Sequence, residues 1–193
     1  MSWTIIVEKH MPAKTQSEQE RLSEVEELRK ALKRAVDKKI LLFGAASDRG
    51  NNISPHEEVL PGRAHGVFFI GAADNLGRPN EHVEPDCDFL LPGGDGHKEY
   101  QGSSFSTALA AGLAALILHC AEISGFCLKH QTARDDLGVY EHMYDVLKNL
   151  CHDPQSNGKY IQASNFFNHD LIKGGWGKEN RLRFIALVER ILR

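Results

Sequence analysis

Two serines follow a glycine at Gly102-Ser103-Ser104, just ahead of a run rich in Ala and Leu that extends from Phe105 to Leu118 without a proline. Glycine and serine mark a turn, and the apolar run behind them predicts a loop feeding the N-terminus of a buried helix. A serine at that place stands among backbone N–H groups that lack intrahelical partners, where the helix dipole is positive. The same N–H groups can stabilise the oxyanion of acyl transfer, which makes Ser104 a candidate nucleophile. A serine that simply caps a core helix has the same local sequence.

Other residue types offer less chemistry. The ten histidines are scattered, and His56-Glu57-Glu58 lacks the spacing of a zinc motif, so neither a metal nor a cofactor is expected. Cys87, Cys120, Cys127 and Cys151 show no paired spacing and read as free thiols of a reducing compartment. A net charge of -3 gives no reason to expect a nucleic acid or an anionic membrane as partner. The apolar run after Phe105 reads as too short and too mixed with Ser, Thr and Gly to span a bilayer. Glu8, Lys9 and His10 interrupt the first apolar residues, so no signal peptide is visible and an intracellular location is expected.

The elements that must position Ser104 form an α/β pattern. Lys39 to Ala46 and Gly66 to Ala72 are continuous apolar runs, and Asp88 to Leu91 is a shorter one. Such runs predict parallel strands buried on both faces, separated by longer connections, with the long helix after Ser104 packed against them. Ser47-Asp48-Arg49-Gly50 is the turn at the C-terminal end of the first strand, where open α/β sheets build their sites. Ahead of it, Ser2 to Val7 is β-prone, and residues 8–17 read as loop. Ser17 with Glu20 makes a capping box for a helix over about 18–38, its apolar stripe Leu22, Val25, Leu28, Leu32 and Val36 packing on the sheet. A helix over about 137–150, a loop-like stretch over 152–177 and a terminal helix from Arg181 to Leu192 follow. The wide apolar face of that last helix is expected to dock on the same domain.

The block Gly102-Ser103-Ser104-Phe105-Ser106-Thr107, with Ala111-Gly112 behind it, resembles the nucleophile block of subtilisin-like serine proteases, Gly-Thr-Ser-Met-Ala-Ser/Thr-Pro followed by Ala-Gly. Three further blocks resemble that family in the same order. Leu42 to Gly50 is similar to its Val-Val-Ala-Ala-Gly-Asn-Glu-Gly, and Leu60-Pro61-Gly62 with Phe69-Ile70-Gly71-Ala72 to its Tyr-Pro-Ala/Gly and Val-Gly-Ala. Leu90-Leu91-Pro92-Gly93 is similar to its Val-Ala-Pro-Gly. The resemblance covers about residues 1–150 and implies the C-terminal half of a subtilisin-like peptidase domain, a partial fold with a parallel sheet flanked by helices. Residues 151–193 read as a C-terminal extension with its own helix.

The resemblance implies serine endopeptidase chemistry on a polypeptide substrate. Ser104 falls on the nucleophile, and Asp48 on the oxyanion position, where the family has Asn. Ser2, Trp3 and Thr4 fall on the substrate-binding Met-Ser-Leu/Trp-Gly segment, and Ala45, Ala46 and Ser47 on the other wall of the cleft. Calcium is common in the family, but no acidic cluster here makes a site for it. The family's Asp and His blocks lie upstream of the first matched strand, and nothing in the 193 residues resembles them; His65 and His97 stand in other contexts. A serine without a neighbouring base is a weak nucleophile, so the chain alone is expected to be inactive. Two readings follow: a peptidase segment that works with an upstream half-domain, or a non-catalytic module that binds peptide or protein. In either, apolar surface left bare would favour the missing half or self-association.

Overall fold

Along the chain the elements run β1 (Ile5–Glu8), α1 (Gln16–Asp37), β2 (Leu42–Ala45), β3 (Glu57–Leu60), β4 (Val67–Ala73), β5 (Phe89–Pro92), α2 (Ser103–Ile123), α3 (Tyr140–Asn149), a 3-10 turn at Ala163–Asn165, and α4 (Lys178–Ile191). This computed structural model describes residues 4–8, 15–49, 54, 57–84, 86–94, 102–123, 136–151, 158–165 and 178–192, with the side chains of 178–181 outside the description.

The three apolar runs form one parallel sheet in the order β2-β4-β5. Leu42 pairs with Val67 and Ile70 with Phe89, which brings the C-terminal ends of all three strands to one edge. All seven residues of β4 are buried, as a strand covered on both faces requires. Phe68 and Ile70 join one hydrophobic cluster, with Ala110, Leu113, Ala114, Ile117 and Ala121 of α2 and Met143, Val146 and Leu147 of α3. Phe69 joins the other, with Val59, Val83, Cys87 and Leu90. Phe43 stacks on Phe68 with ring centroids 4.8 Å apart, and Tyr140 covers the same ring at 4.5 Å. The terminal helix docks as expected: Leu187 and Ile191 enter the first cluster, while Leu182 faces outward.

Several elements depart from the sequence reading. β1 and β3 pair antiparallel, Ile5 opposite Leu60 and Glu8 opposite Glu57. Glu57–Leu60 was not expected as a strand, because two glutamates and two apolar residues carry no period-two alternation. Helix α1 is capped by Thr15, not Ser17. The Thr15 hydroxyl accepts the Glu18 N–H at 3.3 Å and the Glu18 carboxylate accepts the Thr15 N–H at 3.0 Å. Both Thr15 and Ser17 have Glu three residues on, so spacing alone could not choose between them. The apolar stripe of α1 is only half covered, with no residue of the helix fully buried. Within the stretch read as loop, Tyr160 and Ile161 extend the sheet: the Leu90 N–H donates to the Lys159 carbonyl and the Ile161 N–H to the Leu90 carbonyl, both at 2.9 Å.

Length does not exclude a membrane span for α2, contrary to the sequence reading. The helix has 21 residues and a mean hydropathy of 1.7 over its most apolar window. One stripe of it lies on the sheet. On its other side Leu109, Leu116 and Ile123 are exposed, and a methyl group at Gly112 would touch nothing within 4 Å.

Candidate functional site around Ser104

Buried hydroxyls fasten the start of α2 to the sheet. Ser106 Oγ donates to the carbonyls of Leu91 and Pro92, at 3.1 and 2.9 Å, at the end of β5. Thr107 Oγ1 donates back to the Ser103 carbonyl at 2.6 Å within the first turn. The Gly102 N–H donates to the Gly93 carbonyl at 2.7 Å, which returns the chain to the sheet edge. Ser104 is therefore the second residue of α2, exposed at the C-terminal edge of the sheet.

Asp48 comes to the same point from the end of β2. Its two carboxylate oxygens accept the Ser103 N–H at 3.1 and 3.2 Å, and Oδ1 also accepts the Ser103 hydroxyl at 2.7 Å. Ser103 Oγ in turn accepts the Ala72 N–H of β4 at 3.2 Å. One side chain thus links β2, β4 and α2. Gly102 permits the approach: its φ is +113°, and a Cβ there would stand 2.6 Å from Asp48 Oδ2. Of the two adjacent serines, Ser103 carries the carboxylate but has no exposed surface, whereas Ser104 is open to solvent. Only Ser104 can meet an external carbonyl.

The residues assigned to a substrate cleft are distributed unevenly. Thr4 Oγ1 donates to the Ala45 carbonyl at 3.2 Å, joining the segment before β1 to the end of β2. Ser2 and Trp3 lie outside the described residues. Ala45, Ala46 and Ser47 are at most 4 % exposed, so their part in any cleft falls to the backbone. Ser47 Oγ accepts the Arg49 N–H at 3.2 Å, shaping the turn, and the Ser47 carbonyl accepts the Glu84 N–H at 3.1 Å.

Sequence reasoning missed the layer behind this turn. Glu84 is buried and pairs through Oε1 with Arg63, whose Nε lies at 2.8 Å. Arg63 also lies 5.4 Å from the centre of the Phe69 ring. Separations of 21 and 55 residues, for Arg63–Glu84 and Asp48–Ser103, leave no local signature. At the opposite end of the sheet, burial pushes the Asp88 carboxyl above its ordinary range, although it accepts the Phe69 N–H at 2.9 Å. Burial also pushes the thiols of Cys87 and Cys151 up to about 11. Cys127 lies outside the described residues. A cavity of about 590 Å³ lined by Leu91, Pro92, Leu109, Leu113 and Tyr160 involves none of the Ser104 or Asp48 contacts.

No protein-family model and no curated protein matches the sequence. Solved structures match the fold. The S218A mutant of the protease domain of PatA superposes with a TM-score of 0.56 at 15 % identity, over 96 % of this chain and 58 % of that one. The self-cleaved protease domain of PatA gives 0.55 at 20 % identity, over 91 % and 61 %. The patellamide maturation protease PatA gives 0.50 at 22 %, over 77 % and 57 %. These are subtilisin-like protease domains, and this chain has part of their fold, spanning about 58 % of the first.

Proposed function

We propose that this chain is the nucleophile-bearing part of a subtilisin-like serine endopeptidase, with Ser104 as the nucleophile. The observation that carries the reading is the exposed Ser104 in the first turn of α2, at the C-terminal edge of a parallel sheet, with residue 48 bonded to the neighbouring Ser103. That placement puts a serine hydroxyl at the positive end of a helix, where a developing oxyanion is favoured. Peptide hydrolysis also needs a base to take the serine proton and an acid to protonate the leaving amine; in subtilisin-like enzymes one histidine does both, oriented by an aspartate. No residue described around Ser104 fills those roles, so the hydrolytic unit requires Asp and His blocks from another polypeptide segment. Such a segment would pack over the exposed apolar residues Leu109, Leu116 and Ile123 of α2.

A second reading, a module that binds polypeptide without cleaving it, is favoured by Asp48. A carboxylate beside the oxyanion position opposes the charge that develops there, where subtilisin uses an amide whose loss costs about a hundred- to a thousandfold in turnover. The test is peptide cleavage by the chain alone, by the chain joined to a segment with Asp and His blocks, and by Ser104→Ala of each. The peptidase reading predicts cleavage only by the joined protein, abolished by Ser104→Ala. A joined protein that folds and binds peptide but never cleaves it leaves the binding reading standing.

A further inference from the structure

We propose that Asp48 is a positioning residue for Ser104 and, at the same time, an internal counter-charge that occupies donors at the start of α2. This rests on the reading of Ser104 as the acyl-transfer serine. The first residues of a helix present N–H groups without backbone acceptors and a positive end of the dipole. Here the acceptor comes from another strand. Asp48 takes the Ser103 N–H with both oxygens and the Ser103 hydroxyl with one of them. The hydroxyl is held from its other side by the Ala72 N–H. Ser103 has no exposed surface, so the donors of these bonds are shielded, while Asp48 itself is open to solvent. Gly102 leaves no space for a side chain between the carboxylate and the backbone.

Two consequences follow from one contact. The peptide plane that precedes Ser103 is held by Asp48, and the Ser103 side chain by Asp48 and β4, so the next residue, Ser104, is presented in one place relative to the sheet edge. The carboxylate also cancels part of the positive potential that the helix start would offer to an oxyanion. Asp48 thereby trades transition-state stabilisation for order. An amide of the same shape keeps a single acceptor oxygen and removes the charge. Asp48→Asn therefore loosens the clasp while making the field at residue 104 more positive.

The field can be read without catalysis by placing a thiol at the nucleophile position. In Ser104→Cys, alkylation by iodoacetamide at neutral pH follows the thiolate fraction, which a nearby negative charge lowers and a helix N-terminus raises. Peptide mapping by mass spectrometry separates this thiol from the native cysteines. Adding Asp48→Asn is expected to speed alkylation about three- to tenfold, the size of one unit charge acting over several ångströms of partly solvated protein. The Ser103 amide resonance is expected to shift in the same variant. Asp48→Ala is expected to melt lower and to lose hydrogen-exchange protection at residues 103–106, and sodium formate is expected to restore both by refilling the acceptor site. Alkylation unchanged or slowed by Asp48→Asn would overturn the counter-charge. An Asp48→Ala protein that keeps its first-turn protection, or that formate does not restore, would overturn the positioning role. Neither result depends on whether Ser104 cleaves peptides, so failure here is separable from failure of the peptidase reading.

Discussion

Two glycines in the same region should respond to alanine with opposite signs. Gly102 has φ +113°, and its Cβ would lie 2.6 Å from Asp48 Oδ2 and 3.4 Å from the carboxyl carbon. A non-glycine residue held at positive φ costs about 1–2 kcal/mol. The methyl group also forces the carboxylate away from Ser103, and a hydrogen bond to a charged group contributes about 1.5–3 kcal/mol. Allowing for partial relaxation, Gly102→Ala should destabilise the chain by about 3 kcal/mol, a fall of about 6–12 °C in Tm for a protein of this length. Gly112 lies within α2, where a Cβ would meet nothing within 4 Å. Its replacement by Ala should raise stability by about 1 kcal/mol, because glycine is the poorer helix former. Thermal unfolding followed by circular dichroism on the parent and both variants is sufficient. A Gly102→Ala protein that melts with the parent would refute the close approach of Asp48. A Gly112→Ala protein that melts lower would show that this face of α2 is covered in the folded chain.

Three further substitutions probe the sheet and its ends. Ser103→Ala should cost about 1–3 kcal/mol in chemical denaturation, since it strips the Ala72 N–H of its acceptor and Asp48 of a donor. Phe68→Ala should cost about 3–5 kcal/mol, because the ring has no exposed surface and is packed among Phe43, Phe89 and Tyr140; a loss under about 1 kcal/mol would contradict that packing. Asp88 has a raised pKa in the folded chain, chiefly from burial, so the folded state holds a proton that the unfolded state has already released. Stability from this group is present at low pH and lost as pH rises above the ordinary carboxylate value of 3.8. Denaturation midpoints measured across the acid range should therefore show the parent losing ground to Asp88→Asn as pH increases, and parallel curves would remove the assignment.

What was legible in the sequence is what repeats locally. The apolar runs at Lys39–Ala46, Gly66–Ala72 and Asp88–Leu91 revealed a parallel sheet because a strand covered on both faces has no polar alternation to hide it. Gly102-Ser103-Ser104 before an Ala-Leu run marked the start of α2 for the same reason. β3 was not legible, since Glu57-Glu58-Val59-Leu60 becomes a strand only through its partner β1. Asp48 was placed near Ser104 by block order, but its bonds to Ser103 required the fold to bring residues 55 apart together. The Arg63–Glu84 pair behind Ser47 is of the same kind.

The central claim is that Ser104 is a nucleophile whose base, with the aspartate that orients it, must come from another segment. Fluorophosphonate labelling, mapped to the peptide that carries Ser104, tests it most directly. Catalysis left to binding and oxyanion contacts after loss of the triad is only about a thousandfold or more over water in subtilisin itself, so the chain alone should label no faster than its Ser104→Ala variant. Joined to a segment that supplies Asp and His blocks, it should label at Ser104 stoichiometrically, and Ser104→Ala should abolish the reaction. Rapid Ser104 labelling of the isolated chain would mean that another residue here serves as the base. A folded, joined protein that labels elsewhere, or not at all, would contradict the assignment of Ser104.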